Sequence, residues 1–166
     1  ISSITLPSTC KLVSFDVTNL FTNIPPAEVI NIIEEDLFSK NTNPVIMNEI
    51  LSLLDTCLSQ NYFQFGGKYF RQRDGLAMGN PLSPLLSEIF MARLETSISQ
   101  HKLFKHCIYW IRYVDDILVC FNGTSRQLDM LHNYINSLHR KIKFTIEIES
   151  NKTINFLDLQ ISHHKS

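Results

Sequence analysis

Asp115 and Asp116 stand side by side in a mostly apolar run, with Cys107-Ile108-Tyr109-Trp110-Ile111-Arg112-Tyr113-Val114 before them and Ile117-Leu118-Val119-Cys120-Phe121 after. Taking a carboxylate out of water costs on the order of several kcal/mol even after relaxation, and two adjacent ones repel each other, so a compensating positive charge is expected. A divalent metal ion is the natural candidate. A third carboxylate, Asp16, closes another apolar run, Lys11-Leu12-Val13-Ser14-Phe15. If the two runs are neighbours in a sheet, three carboxylates meet at one end, and oxygen ligands of that kind suit Mg²⁺ or Mn²⁺. Two such ions roughly 3.5 to 4 Å apart activate an attacking hydroxyl and neutralise a leaving oxygen, which makes nucleotidyl transfer the expected chemistry. The residues alone leave a second reading equally open: Asp16 as a turn residue and the pair as a solvated hairpin tip.

The elements that must position these acids follow from periodicity and punctuation. The apolar stretches on either side of the pair are too short for helices, and their Ile, Val, Tyr and Trp content favours two strands joined by a tight turn with the acids at its tip. The run ending on Asp16 reads as a strand. Pro25-Pro26 then opens a helix carrying Val29, Ile30, Ile33 and Leu37, and Asn43-Pro44 opens a second with Ile46, Ile50, Leu53, Leu54, Cys57 and Leu58 on one face, both stripes expected in the core. Gly66-Gly67 between Tyr62-Phe63-Gln64-Phe65 and Lys68-Tyr69-Phe70-Arg71 predicts a two-residue hairpin. Asn80-Pro81 caps a long helix with Leu82, Leu85, Leu86, Ile89, Phe90, Leu94 and Ile98 at helical spacing. Thr124-x-x-Gln127 is a capping-box pattern ahead of Leu128, Leu131, Ile135 and Leu138. Residues 144–149 alternate apolar and charged with period two, and residues 153–161 are expected to pair with them across Ser150-Asn151-Lys152. This order predicts an α+β domain, an antiparallel sheet with helices packed on one face.

With 166 residues, 44% of them hydrophobic, the chain can bury a core as a single domain spanning 1–166. Fifteen Lys and Arg against sixteen Asp and Glu give a net charge of -1, so any nucleic-acid binding must rest on local patches. Cys10, Cys57, Cys107 and Cys120 show no Cys-x-x-Cys pair and read as reduced thiols of an intracellular protein. No apolar run approaches the roughly 20 residues of a membrane span, so no membrane partner is expected. The chain begins at Ile1 rather than Met, and a fragment of a longer protein is expected.

Four segments in order, Val13-Ser14-Phe15-Asp16-Val17-Thr18-Asn19-Leu20-Phe21, Gly75-Leu76-Ala77-Met78-Gly79-Asn80-Pro81-Leu82-Ser83-Pro84, Tyr113-Val114-Asp115-Asp116 and Phe156-Leu157-Asp158-Leu159, resemble motifs A, B, C and E of reverse transcriptases. The phrasing around Asp16, Phe144-Thr145-Ile146-Glu147 and Phe156-Leu157-Asp158 is most similar to Penelope-like retroelements, relatives of telomerase. The resemblance implies a polymerase palm with partial fingers, two Mg²⁺ ions with Mn²⁺ as a substitute, an RNA template, a DNA primer and dNTP substrates, in an intracellular and nuclear setting. It implies that Asp16 and Asp115 hold metal together with the Val17 carbonyl, while Asp116 shapes the site electrostatically. Phe21, five residues after Asp16, matches the aromatic that excludes a 2′-hydroxyl. Gly79, Asn80 and Lys143 match nucleotide-binding positions. Arg71, Arg73, Gly75, Tyr113, Phe156 and Leu157 match positions near primer or template, the last two in the primer-grip strand.

Met78 stands where many relatives carry Gln, and Asn80 where Ser is familiar; neither change touches the metal chemistry. Two alternatives stay open at this level. One is a catalytically inactive RNA-binding relative of the same fold, and the other a nucleotidyl cyclase with a palm-like sheet, which would need neither the glycine loop nor the aromatic after Asp16.

Overall fold

Residues 11–17 alternate in burial as a strand between two layers must. In the structure, a computed structural model that describes residues 7 and 9–163, they form β1 (Lys11–Val17). Val13, Phe15 and Val17 point to one face and are at most 1% exposed; Leu12, Ser14 and Asp16 point to the other. β4 (Cys107–Tyr113), β5 (Asp116–Phe121) and β6 (Phe144–Ile148) complete a four-stranded sheet in the order β4-β5-β1-β6, antiparallel throughout.

The chain divides into two compact units. The first combines the segment up to Thr18 with the segment from Thr96 onward, and holds the whole sheet. On its Phe15 face lies α5 (Ser125–Ser137), which begins with the expected capping box: Thr124 Oγ1 accepts from the Gln127 amide, and Gln127 Oε1 accepts from the Thr124 amide. Leu128, Leu131 and Ile135 bury its inner face, and the His132 ring sits 5.8 Å from Phe15. Asn136 locks the helix to β6 by exchanging two hydrogen bonds with the Phe144 backbone.

Among the described residues of this unit, the opposite face is covered at one end. Cys10, Leu12, Leu118 and Cys120 pack there against Ile154 and Phe156. These last two belong to a hairpin of β7 (Thr153–Phe156) and β8 (Leu159–Ser162). The expectation that residues 153–161 pair with β6 is therefore corrected: they fold back on themselves as a separate two-stranded sheet, and β6 pairs with β1. The reversal lies at Leu157-Asp158, where Leu157 takes φ 53°, a turn without the glycine that would announce it. Burial of Ile154 and Phe156 over Leu12 and Cys120 decides the pairing, and these partners are remote in sequence. Burial also pushes the Cys107 thiol up to about 12 and the Cys120 thiol to about 11, so these sulfurs serve as apolar filling.

The second unit, Asn19–Glu95, contains α1 (Leu20–Asn23), α2 (Pro26–Ser39), α3 (Pro44–Ser59), a hairpin of β2 (Tyr62–Phe65) and β3 (Lys68–Arg71), and most of α4 (Ser83–Ser99). The Pro and Asn signals start α2 and α3 where expected, with Asn43 Oδ1 accepting from the Val45 amide. The α3 stripe is not core, however. Only Leu58 is buried on that helix, while Ile46 and Leu53 are exposed, because α2 is its packing partner and one helix covers only part of such a stripe. On α4, Leu86, Phe90, Leu94 and Ile98 are buried as the spacing requires and Met91, outside the expected stripe, is buried as well, but Leu85 is exposed. Among the described residues no helix is long and apolar enough to cross a membrane.

Candidate active site

The antiparallel register brings the acids together. Asp16 on β1 lies directly opposite Asp116 on β5, and directly opposed residues project from the same face. Asp116 in turn faces Tyr113 on β4, and Asp16 faces Thr145 on β6, so Tyr113, Asp116, Asp16 and Thr145 form one row across the sheet. This row lies on the same face as Leu12 and Cys120 but at the far end, beyond the cover of β7 and β8. Asp16 is exposed and Asp116 half-buried. Thr145, and Glu147 opposite Ser14 one row back, share the face and were not singled out from sequence, although the period-two pattern of β6 marks them.

Val114 and Asp115 make the two-residue turn between Tyr113 and Asp116. Val114 has φ 56°, and it is followed by Asp115 outside the positive region. A hairpin turn of this form ordinarily takes glycine at the first position, and a β-branched residue there stores roughly 1–3 kcal/mol of strain. Two contacts hold it. The Asp115 carbonyl accepts from the Val17 amide at 3.1 Å, tying the turn to the end of β1, and the Val114 carbonyl accepts from the Arg112 guanidinium at 3.3 Å. The first bond keeps Asp115 beside Asp16.

Electrostatics agree with the geometry. Desolvation raises the Asp16 carboxyl above the usual carboxylate range, and the Asp115 charge raises it further. Asp116 is raised by desolvation first, then by Asp115 and Asp16. No ion pair or side-chain hydrogen bond engages any of the three among the described residues. Three mutually repelling carboxylates at one end of the sheet are oxygen donors of the kind a divalent cation takes. Among the described residues, however, no three His, Cys, Asp or Glu side chains stand close enough to hold an ion as they are, so the acids are convergent but not drawn in to ligand spacing.

Within the Asn19–Glu95 unit, Phe21 lies half-buried on α1, and its carbonyl accepts from the Leu76 amide at 2.7 Å. Gly75 is packed so tightly that an added Cβ would lie 2.4 Å from the Thr22 carbonyl oxygen. Gly79, at φ 92°, faces open space. The Asn80 side chain caps the turn into α4: its Oδ1 accepts from the Leu82 amide and its Nδ2 donates to Asn61 Oδ1. Arg71 and Arg73 are both exposed and border a cleft of about 830 Å³.

In the sheet unit, Tyr113 is exposed beside the acids. Lys143 donates to the carbonyls of Asn136 and His139, where its charge meets the C-terminal end of α5. Phe156 is buried with Ile154 against Leu12 and Cys120, while Leu157 is exposed at its turn.

Comparison with known proteins gives a consistent result. The profile of the family described as reverse transcriptase (RNA-dependent DNA polymerase) matches residues 3–163. A search of curated proteins gives no match. Among solved structures, apo telomerase from Candida tropicalis is similar with a TM-score of 0.73 at 15% identity, covering 95% of this chain and 32% of that one. The same telomerase truncated from its C-terminal domain gives 0.69 at 16% identity, with 97% and 35% covered. Telomerase from Candida albicans in complex with a TWJ fragment of telomeric RNA gives 0.64 at 15% identity, with 92% and 30% covered. At these identities the likeness concerns the fold, and the chain spans about a third of the length of the telomerases it matches.

Proposed function

The chain belongs to the reverse transcriptase (RNA-dependent DNA polymerase) family, and on that premise we propose that it is the palm and partial fingers of a retroelement polymerase that adds dNTPs to a DNA primer on an RNA template. The observation that carries this reading is the placement of Asp16 opposite Asp116 with Asp115 bonded to the end of β1. A solvated hairpin tip has no need of a third acid from another strand, nor of a strained valine to aim the turn.

In this reading Asp16 and Asp115, with the Val17 carbonyl, would hold two divalent cations, Mg²⁺ or Mn²⁺, and Asp116 would keep the local potential negative. When bound, such ions supply activation of the attacking hydroxyl and neutralisation of the leaving oxygen. The protein's own contribution is positioning. The open end of the sheet receives the primer terminus beside Tyr113, and the Val114 turn holds Asp115 in place. Phe21 selects against a ribose 2′-hydroxyl, and the backbone at Gly79 admits the nucleotide closely because no side chain is present. Lys143, Phe156 and Leu157, in the unit that holds the acids, and Arg71, Arg73, Gly75 and Asn80, in the unit Asn19–Glu95, keep the nucleotide- and nucleic-acid-binding roles that the resemblance gives them. The wording of the segments around Asp16 and Phe144 supports a Penelope-like element.

The test is primer extension on an RNA template with Mg²⁺ and dNTPs, using the full-length protein. Asp115→Asn preserves shape and removes one charge, and extension is expected to fall by about 100-fold or more, as for loss of a principal electrostatic contributor. Extension at the original rate in a normally folded variant would refute the assignment.

A further inference from the structure

All eight strand residues of the β2–β3 hairpin are exposed, although five of them are aromatic. A lone two-stranded ribbon is marginal in water, so leaving Tyr62, Phe63, Phe65, Tyr69 and Phe70 uncovered calls for a ligand. Register sorts them into two unlike faces. Tyr62 opposes Arg71 and Gln64 opposes Tyr69 on one side; Phe63 opposes Phe70 and Phe65 opposes Lys68 on the other. The first face combines two amphipathic rings, 62% and 77% exposed, with a guanidinium and an amide. Tyr62 and Tyr69 are diagonal neighbours there, about 7–8 Å apart by sheet geometry.

Charge points the same way. Residues 59–73 contain Lys68, Arg71 and Arg73 and no acid. No hydrogen bond or ion pair engages these three cationic groups among the described residues. Arg71 and Arg73 border the 830 Å³ cleft, whose apolar lining is Pro25, Pro26, Ala27, Ile30 and Leu58. Asp55 and Asp74 also line it, so Arg71 and Arg73 are the groups of the lining that attract an anion.

We propose that the Tyr62–Tyr69 face of this hairpin and the adjoining cleft dock one unpaired strand of nucleic acid, with bases stacked on the two tyrosines and phosphates at Arg71 and Arg73. Stacking rings beside unpaired cations are the means by which single strands are held without sequence preference, and a duplex cannot offer its base faces. The inference rests on the nucleic-acid reading above and extends it to the β2–β3 hairpin.

The test is fluorescence anisotropy of a labelled 12-mer oligouridylate, and of the same length as duplex, with the full chain in EDTA so that no chemistry intervenes. Tyr69→Ala is expected to weaken single-strand binding about 5- to 150-fold. Arg71→Ala with Arg73→Ala is expected to lower the slope of log affinity against log salt by about 1.4, two phosphates at about 0.7 each. Phe65→Ser on the other face is the control and leaves affinity unchanged. Original affinity and slope in the tyrosine and arginine variants overturn the proposal. So does a result in which only Phe65→Ser acts, by abolishing self-association in sedimentation, since the hairpin then docks protein. Extension lost in Asp115→Asn while all hairpin variants bind normally would sink this site and leave the polymerase reading standing; hairpin-dependent binding without any extension would do the reverse.

Discussion

Replacing Gly75 by alanine should disrupt the fold of its loop, whereas the same change at Gly79 should leave the fold nearly intact. Both glycines have positive φ, 77° and 92°, so each substitution carries roughly 1–2 kcal/mol for placing a Cβ residue in the left-handed region. Only at Gly75 is there a second penalty. Its Cβ would lie 2.4 Å from the Thr22 oxygen and 2.7 Å from the Thr22 carbonyl carbon and Cα, all backbone atoms that cannot rotate away. The loop must lift off α1, which breaks the 2.7 Å bond from the Leu76 amide to the Phe21 carbonyl, worth about 0.5–1.5 kcal/mol net, and unpacks Leu76, which is fully buried. The expected loss is about 3–5 kcal/mol for Gly75→Ala against about 1–2 for Gly79→Ala. Urea denaturation followed by far-UV circular dichroism measures both, and hydrogen exchange at the Leu76 amide reports the local opening. Equal losses at the two positions, or a protected Leu76 amide in Gly75→Ala, would refute the close-approach argument. In primer extension, Gly79→Ala is expected to reduce activity despite its sound fold, because its open backbone is proposed to meet substrate.

Three further outcomes follow from the site. Phe21→Val should raise ribonucleotide incorporation relative to dNTP by roughly tenfold or more, measured by competing substrates in primer extension; unchanged sugar discrimination would remove Phe21 from the gate. Because the Asp16 and Asp116 carboxyls are raised, the folded chain binds their protons more tightly than the unfolded one, so stability should decline as pH rises above about 4 through the raised values. Asp16→Asn should flatten that decline, and with Asp16 exposed the gain at neutral pH is about 0.2–1 kcal/mol by urea titration; added Mg²⁺ should stabilise the original chain more than the variant. Val114→Gly should be neutral or stabilising by up to about 2 kcal/mol, as relief of 1–3 kcal/mol of strain outweighs the 0.5–1 kcal/mol entropy of glycine, and a clear thermal destabilisation would contradict the strain.

Where the evidence for an element is local, the chain declares it. The strand at Lys11–Val17, the proline starts of α2 and α3, the Gly66-Gly67 turn and the Thr124 capping box all rest on a few neighbouring residues, and each occurs where its residues announce it. The acids and the four ordered motifs were legible for the same reason, since residue types and spacing survive without coordinates. Strand partnership is different. Residues 144–149 could pair with β1 or with residues 153–161 on the strength of alternation alone, and only burial of Ile154 and Phe156 against Leu12 and Cys120 separates the two. The same limit applies to helix faces. Ile46 and Leu53 carry the pattern of a core stripe yet remain exposed, because a stripe records what a helix can bury and not whether anything arrives to cover it. The cluster of acids joins both kinds of information: Asp115 and Asp116 are visible as residues, but their meeting with Asp16 is created by a register and one Val17 to Asp115 hydrogen bond, which exist only once distant strands have packed.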